Sequence, residues 1–175
     1  HAYPEPLAHL LGELMAAATL LAATLKLDGA LLLQLQGSGV LRMVVVECTS
    51  ERQIRATARW EGSFAQGQLR DWLQDGRFAV TLDSRHSQQL YQGIVPLEGD
   101  SVAEILENYL SRSEQLPTRL WLHSDGQQAA GLLLQQLPAD ASTPAHHEDW
   151  ARLQQLAHTI TPTELYQLAA QTVLH

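Results

Sequence analysis

Residues 14–25 read LMAAATLLAATL, twelve positions without a charge and with polar atoms only at Thr19 and Thr24. Nearly all of them favour a helix. A helix on the surface of a soluble protein carries a polar stripe at the 3.6-residue period, and this stretch has none. It therefore needs cover on every side. A bilayer is one source of cover, but twelve residues fall short of the roughly 20 needed to cross one. No basic segment precedes the stretch and no small-residue cleavage site follows it before Asp28-Gly29, so a signal peptide does not fit either. The cover is expected to be protein.

The helix is expected over residues 7–26, entered after Pro4 and Pro6 and stopped near Asp28-Gly29. ALLLQLQ and VLRMVVVE, joined by Gly37-Ser38-Gly39, read as a β-hairpin. RQIRATARW follows, with Ile54, Ala56, Ala58 and Trp60 on one face and Arg55, Thr57 and Arg59 on the other. GQLRDWLQDG is a short amphipathic helical turn, and RFAVTLD and QLYQGIVPLEG form a second strand pair. Ser101 and Glu104 make a capping box for a helix that runs to about Ser113 and is ended by Pro117. TRLWLH and QAAGLLLQQL then form a hairpin around Asp125-Gly126.

Sheets with one apolar face need cover, and so does a helix with no polar side. Setting the helix between two sheets satisfies both. The predicted fold is α+β, a β/α/β layered core with a buried central helix; helix–sheet–helix layering is the competing arrangement. After PADASTP the texture changes. AHHEDWARLQQLAHTI places Trp150, Leu153 and Leu156 with Ala157 on one helical face. TPTELYQLAAQTVLH opens with Thr161 as cap, Pro162 at the first helical position and Glu164 closing the box. These two helices form a C-terminal appendage, and a soft boundary at 138–144 divides the chain into 1–138 and 139–175.

Candidate chemistry is sparse. Eleven basic against nineteen acidic residues give a net charge of −8, which argues against nucleic-acid and anionic-membrane partners. The single cysteine, Cys48, excludes an internal disulfide and any cysteine-based zinc site within these residues. As a nucleophile it lacks a thiolate-stabilising neighbour, with Glu47 opposing ionisation. HHED at 146–149 lacks the i, i+4 histidine spacing of a helical metal site, and His158 is about three turns away. The carboxylates Glu98, Asp100, Glu104 and Glu107 gather at a helix start, where the dipole favours them without catalysis. Gly37-Ser38-Gly39 lacks the lysine and length of a phosphate cradle. No catalytic or metal-binding residue is assigned, and the chain is not expected to be an enzyme.

Longer blocks carry more. LLAATLKLDGALLLQLQGSG (20–39), YQGIVPLEGDSVAEILENYLSRSEQLPTRLWL (91–122) and AAGLLLQQLP (129–138) resemble the heat shock protein 33 family of redox-regulated holdase chaperones, as do YPEP near the start and TELYQLAAQTVLH at the end. The tract Tyr109, Arg112, Ser113, Glu114, Gln115, Leu116, Pro117, Thr118, Arg119, Leu120 is among the most specific. The resemblance implies a cytoplasmic, ATP-independent chaperone that binds unfolding proteins under oxidative and heat stress, dimeric when active, with a central helix buried between sheets. It also implies a zinc-binding C-terminal redox domain with four cysteines in CxC and CxxC arrangement. These 175 residues hold one cysteine, so no switch residue carries over and no cofactor is expected in this chain. The chain thus reads as a segment: chaperone core over 1–138, part of the linker over 139–175, and the zinc-binding redox domain absent.

The first expectation for client contact is the apolar face of the last two helices, Trp150, Leu153, Leu156, Leu165 and Leu168; the strand face beneath them is the second. Alternatives are an oligomerising interaction module, with a homodimer formed by exchange of the C-terminal helices across PADASTP, and an enzyme with an unrecognised pocket.

Overall fold

The computed structural model describes residues 2–25, 28–84, 90–113, 115–136 and 144–167, with side chains in the last segment from Glu148 onward. Helix α1 spans Glu5–Thr24, with Pro4 at its N-cap and Pro6 in the first turn, where a missing N–H costs nothing. The whole helix has 20 residues and a mean hydropathy of 1.5 over its best window, so by length and composition it could cross a bilayer, although its uncharged part alone could not. Protein supplies its cover instead: from Leu7 to Ala22 no residue is exposed.

That cover comes from two sheets. Strands β1 (Gly29–Gln36), β2 (Leu41–Thr49), β3 (Ile54–Trp60), β4 (Arg77–Ser84) and β5 (Leu90–Val95) form an antiparallel sheet in the order β3-β2-β1-β4-β5. Register sets its inner face. Leu31, Leu33 and Leu35 lie opposite Cys48, Val46 and Val44 on one side and Leu82, Val80 and Phe78 on the other. Strands β6 (Thr118–Ser124) and β7 (Ala129–Gln135) form a separate hairpin sheet. The helix packs against β1, β2 and β3 on one side and against β6 and β7 on the other. On the hairpin side the approach is close: a β-carbon at Gly12 would overlap the Ser124 side chain, and one at Gly131 would press on Leu20. This is the expected β/α/β layering.

Helix α2 (Leu69–Leu73) closes one end of the sheet, where the Ser38 and Gly39 amides both donate to the Leu73 carbonyl at 2.9 and 3.1 Å. Helix α3 (Val102–Ser113) lies in the layer of α1 and packs on β6. Its capping box differs in one detail from expectation. The Glu104 amide donates to Ser101 Oγ at 3.2 Å, but the Glu104 carboxylate accepts from the Asp100 amide at 2.7 Å rather than from that of Ser101. Gly99, at φ +134°, turns the preceding chain against the Glu104 side chain. Helices α4 (Pro144–His158) and α5 (Pro162–Gln167) follow on the outer face of the hairpin as a further layer. The soft boundary at 138–144 lies almost wholly outside the described residues.

Candidate binding surface

Alternation along β6 decides what the late helices meet. Thr118, Leu120, Leu122 and Ser124 point inward, leaving Arg119, Trp121 and His123 on the outside, with Leu134, Leu132 and Ala130 of β7 beside them. Each outward residue of β6 finds a partner on the late helices. The Arg119 guanidinium donates to Gln154 Oε1 at 2.9 Å. The Trp121 and His158 rings meet edge to face with centroids 5.9 Å apart, and His123 lies 5.5 Å from Tyr166. Arg119 also reaches Glu107 of α3 at 3.1 Å, whose other oxygen accepts the Leu120 amide at 2.6 Å. One arginine thus ties α3, β6 and α4 together.

This pattern sets which side of α4 meets the core. Ala157 is buried and Trp150 half-buried, but the residues that engage the core beside them are Gln154 and His158. Leu153 and Leu156 turn outward, 49% and 57% exposed. The strand face offers a guanidinium and two aromatic or imidazole rings, so the helix presents its matching polar side and leaves the leucines in water. On α5, Leu165 is half-buried, and Leu168 lies outside the described residues. The α5 cap forms as expected: the Thr161 amide and hydroxyl donate to the Glu164 carboxylate at 2.7 and 2.8 Å. Those donors hold the Glu164 pKa below the usual carboxylate value.

A second apolar exposure lies on β5, a sheet edge. Leu90, Tyr91 and Ile94 are 63%, 53% and 55% exposed, on a strand without a charge. The opposite edge, β3, carries Arg55 and Arg59, with Arg55 bonded to Glu47 of β2 at 2.6 Å. Charged edges resist pairing with another strand; neutral apolar ones invite it.

The other candidates have structural partners. Glu98 pairs with Arg112 at 2.6 Å, Glu104 holds the α3 cap and Glu107 holds β6. Cys48 is fully buried, and burial pushes its thiol pKa up, partly offset by Arg52; Glu47 is engaged by Arg55. Among the described residues no three His, Cys, Asp or Glu side chains converge to hold a metal, and one buried cysteine does not fit the zinc implied by the resemblance. The side chains of His146 and His147 lie outside the described residues.

A family model described as Hsp33 protein matches residues 1–175. The chain belongs to the Hsp33 family. Among its curated relatives, the 33 kDa chaperonin of Methylobacillus flagellatus is 51% identical over 99% of this chain and 59% of its own length. That of Pseudomonas paraeruginosa is 50% identical over all of this chain and 60% of its own. This Hsp33 chain therefore spans about three fifths of those relatives. The crystal structure of a 33 kDa chaperonin, a heat shock protein 33 homologue, from Thermotoga maritima shares the fold at a TM-score of 0.71 and 22% identity, over 93% of this chain and 59% of that one. The Hsp33 fold accordingly includes the helix between sheets read from residues 14–25.

Proposed function

We propose that this chain is an ATP-independent holdase of the cytoplasm that binds unfolding proteins under heat and oxidative stress. The observation that carries the reading is the seating of α4. It presents Leu153 and Leu156 to solvent while docked through single polar and aromatic pairs, so apolar surface sits on an element that is inexpensive to lift. Lifting it uncovers the Trp121 ring and the Arg119 guanidinium beneath. A net charge of −8 favours solubility of the resulting complexes. Trp150, Leu153, Leu156 and Leu165 are the proposed client contacts, with Leu168 following them in sequence. We assign redox control to the cysteines of a zinc domain outside these 175 residues. Light scattering of a thermally unfolding client tests the reading. The chain is expected to suppress aggregation at stoichiometric excess, and Leu153→Ser/Leu156→Ser to weaken that suppression. Unchanged client aggregation under both oxidising and reducing conditions refutes it.

The β5 edge supports a second reading, a homodimer. Its uncharged backbone rim with Leu90 and Ile94 on one face suits antiparallel pairing with a second copy. Exchange of the late helices is the other route. Sedimentation across a concentration series is expected to show a monomer–dimer equilibrium that Ile94→Lys abolishes; a dimer indifferent to that change points to helix exchange.

A further inference from the structure

Strand β5 ends the five-stranded sheet, paired with β4, and among the described residues no other backbone meets its outer rim. Helix α3 packs against the strand, and beside the two lies an open cleft of about 160 Å³. Ile94 and Pro96 bound it on the strand side, and Asn108, Tyr109 and Arg112 on the helix side. Gly93 has no side chain, and the Tyr109 hydroxyl stands where a β-carbon would be, so this ring comes right up to the strand. The chain after β5 is pinned to the helix. The Asn108 side-chain amide donates to the Glu98 carbonyl at 2.7 Å, and Arg112 pairs with the Glu98 carboxylate at 2.6 Å. The charges that line the cleft, Glu98 and Arg112, thus neutralise each other.

We propose that the β5 rim and this cleft form a strand-addition site for an extended, uncharged segment of a non-native polypeptide. Main-chain pairing at a sheet edge asks nothing of the sequence, while alternate side chains of the added strand read the surface beside it. Here one row of those side chains runs over Leu90 and Ile94 and the other turns toward α3. A cleft with apolar walls and its own charges paired suits an aliphatic side chain and penalises a charged one. A second copy fits the rim but not the cleft. Paired antiparallel, it turns Tyr91, Gly93 and Val95 toward the helix side; Gly93 has nothing to insert, and Val95 is buried in its own core. The source of the strand rests on the holdase reading above; the site itself does not.

The test uses the 175-residue chain and a short, end-blocked peptide of alternating threonine and valine. Residue-resolved amide hydrogen exchange is followed across Leu90–Val95, with β1 as reference. Saturating peptide is expected to slow alternate β5 amides by about threefold to tenfold. Because a strand presents alternate N–H groups to opposite edges, N-methylating every valine or every threonine separates the two edges. One of these versions is expected to lose the effect and the other to keep it. Lysine in place of valine is expected to weaken binding by about tenfold or more. Unchanged β5 exchange overturns the proposal, as do two N-methylated versions that behave alike or a lysine peptide that binds as well as the parent. Protection that rises with protein concentration and ignores the peptide gives the edge to a second copy, which also overturns it. A chain that protects β5 yet leaves client aggregation unchanged keeps the strand site and loses the holdase reading.

Discussion

The contact of α1 with the five-stranded sheet and that of α4 with the hairpin are both helix-on-sheet contacts, yet they are built differently. The first is leucine against leucine and valine, with Leu7, Leu14, Leu31, Leu33, Val44 and Val46 fully buried. The second rests on two single pairs, Arg119–Gln154 and Trp121–His158, with His123–Tyr166 tying down α5 beside it, and leaves two leucines in water. Apolar burial gains with every square ångström covered, roughly 1.5–3 kcal/mol for a whole leucine side chain. A partly exposed polar pair contributes about 1 kcal/mol or less. One molecule thus holds a permanent layer and a removable one, and chemistry rather than shape separates them.

Variants can break that contrast. Leu14→Ala strikes the permanent layer, where a cavity cannot be filled by water, and is expected to cost about 2–5 kcal/mol by denaturant unfolding. A loss below about 1 kcal/mol would erase the distinction. Arg119→Met removes the anchor shared by α3, β6 and α4 while Glu107 keeps the Leu120 amide. It is expected to cost about 1 kcal/mol or less globally, yet to raise hydrogen exchange in α4 while β1 is unchanged. Loss of protection in both would mean that the layers are one cooperative unit. Leu153→Ser/Leu156→Ser, the smallest effect, is expected to change stability by no more than about 0.5 kcal/mol, because both leucines already face water.

How much of this was legible in the sequence follows the same division. The central helix could be read from residues 14–25 because an apolar rod has few homes, and the strand register followed from alternation in stretches such as Ile54–Trp60. The caps at Ser101 and Thr161 are local and were equally readable. The seating of α4 was not. Periodicity groups Trp150 with Leu153 and Leu156, but the face chosen depends on Arg119 and Trp121, more than thirty residues away, which prefer Gln154 and His158. Glu107 was counted with a helix-start cluster because its partners, Arg119 and the Leu120 amide, come from another element. The exposed β5 edge was hidden for a related reason: a strand's sequence does not say whether a neighbour lies on both sides.

The separateness of the β6–β7 sheet has a consequence for synthesis. The rod at the chain's beginning is sealed on its second side only by strands ending at Gln135, about 110 residues after α1 ends. At translation rates of about 5–20 residues per second, that leaves a largely apolar helix half-covered for roughly 5–20 s on the ribosome. A nascent copy of this protein therefore passes through a stage in which it is itself aggregation-prone, with Gly12 and Leu20 still waiting for the hairpin to arrive.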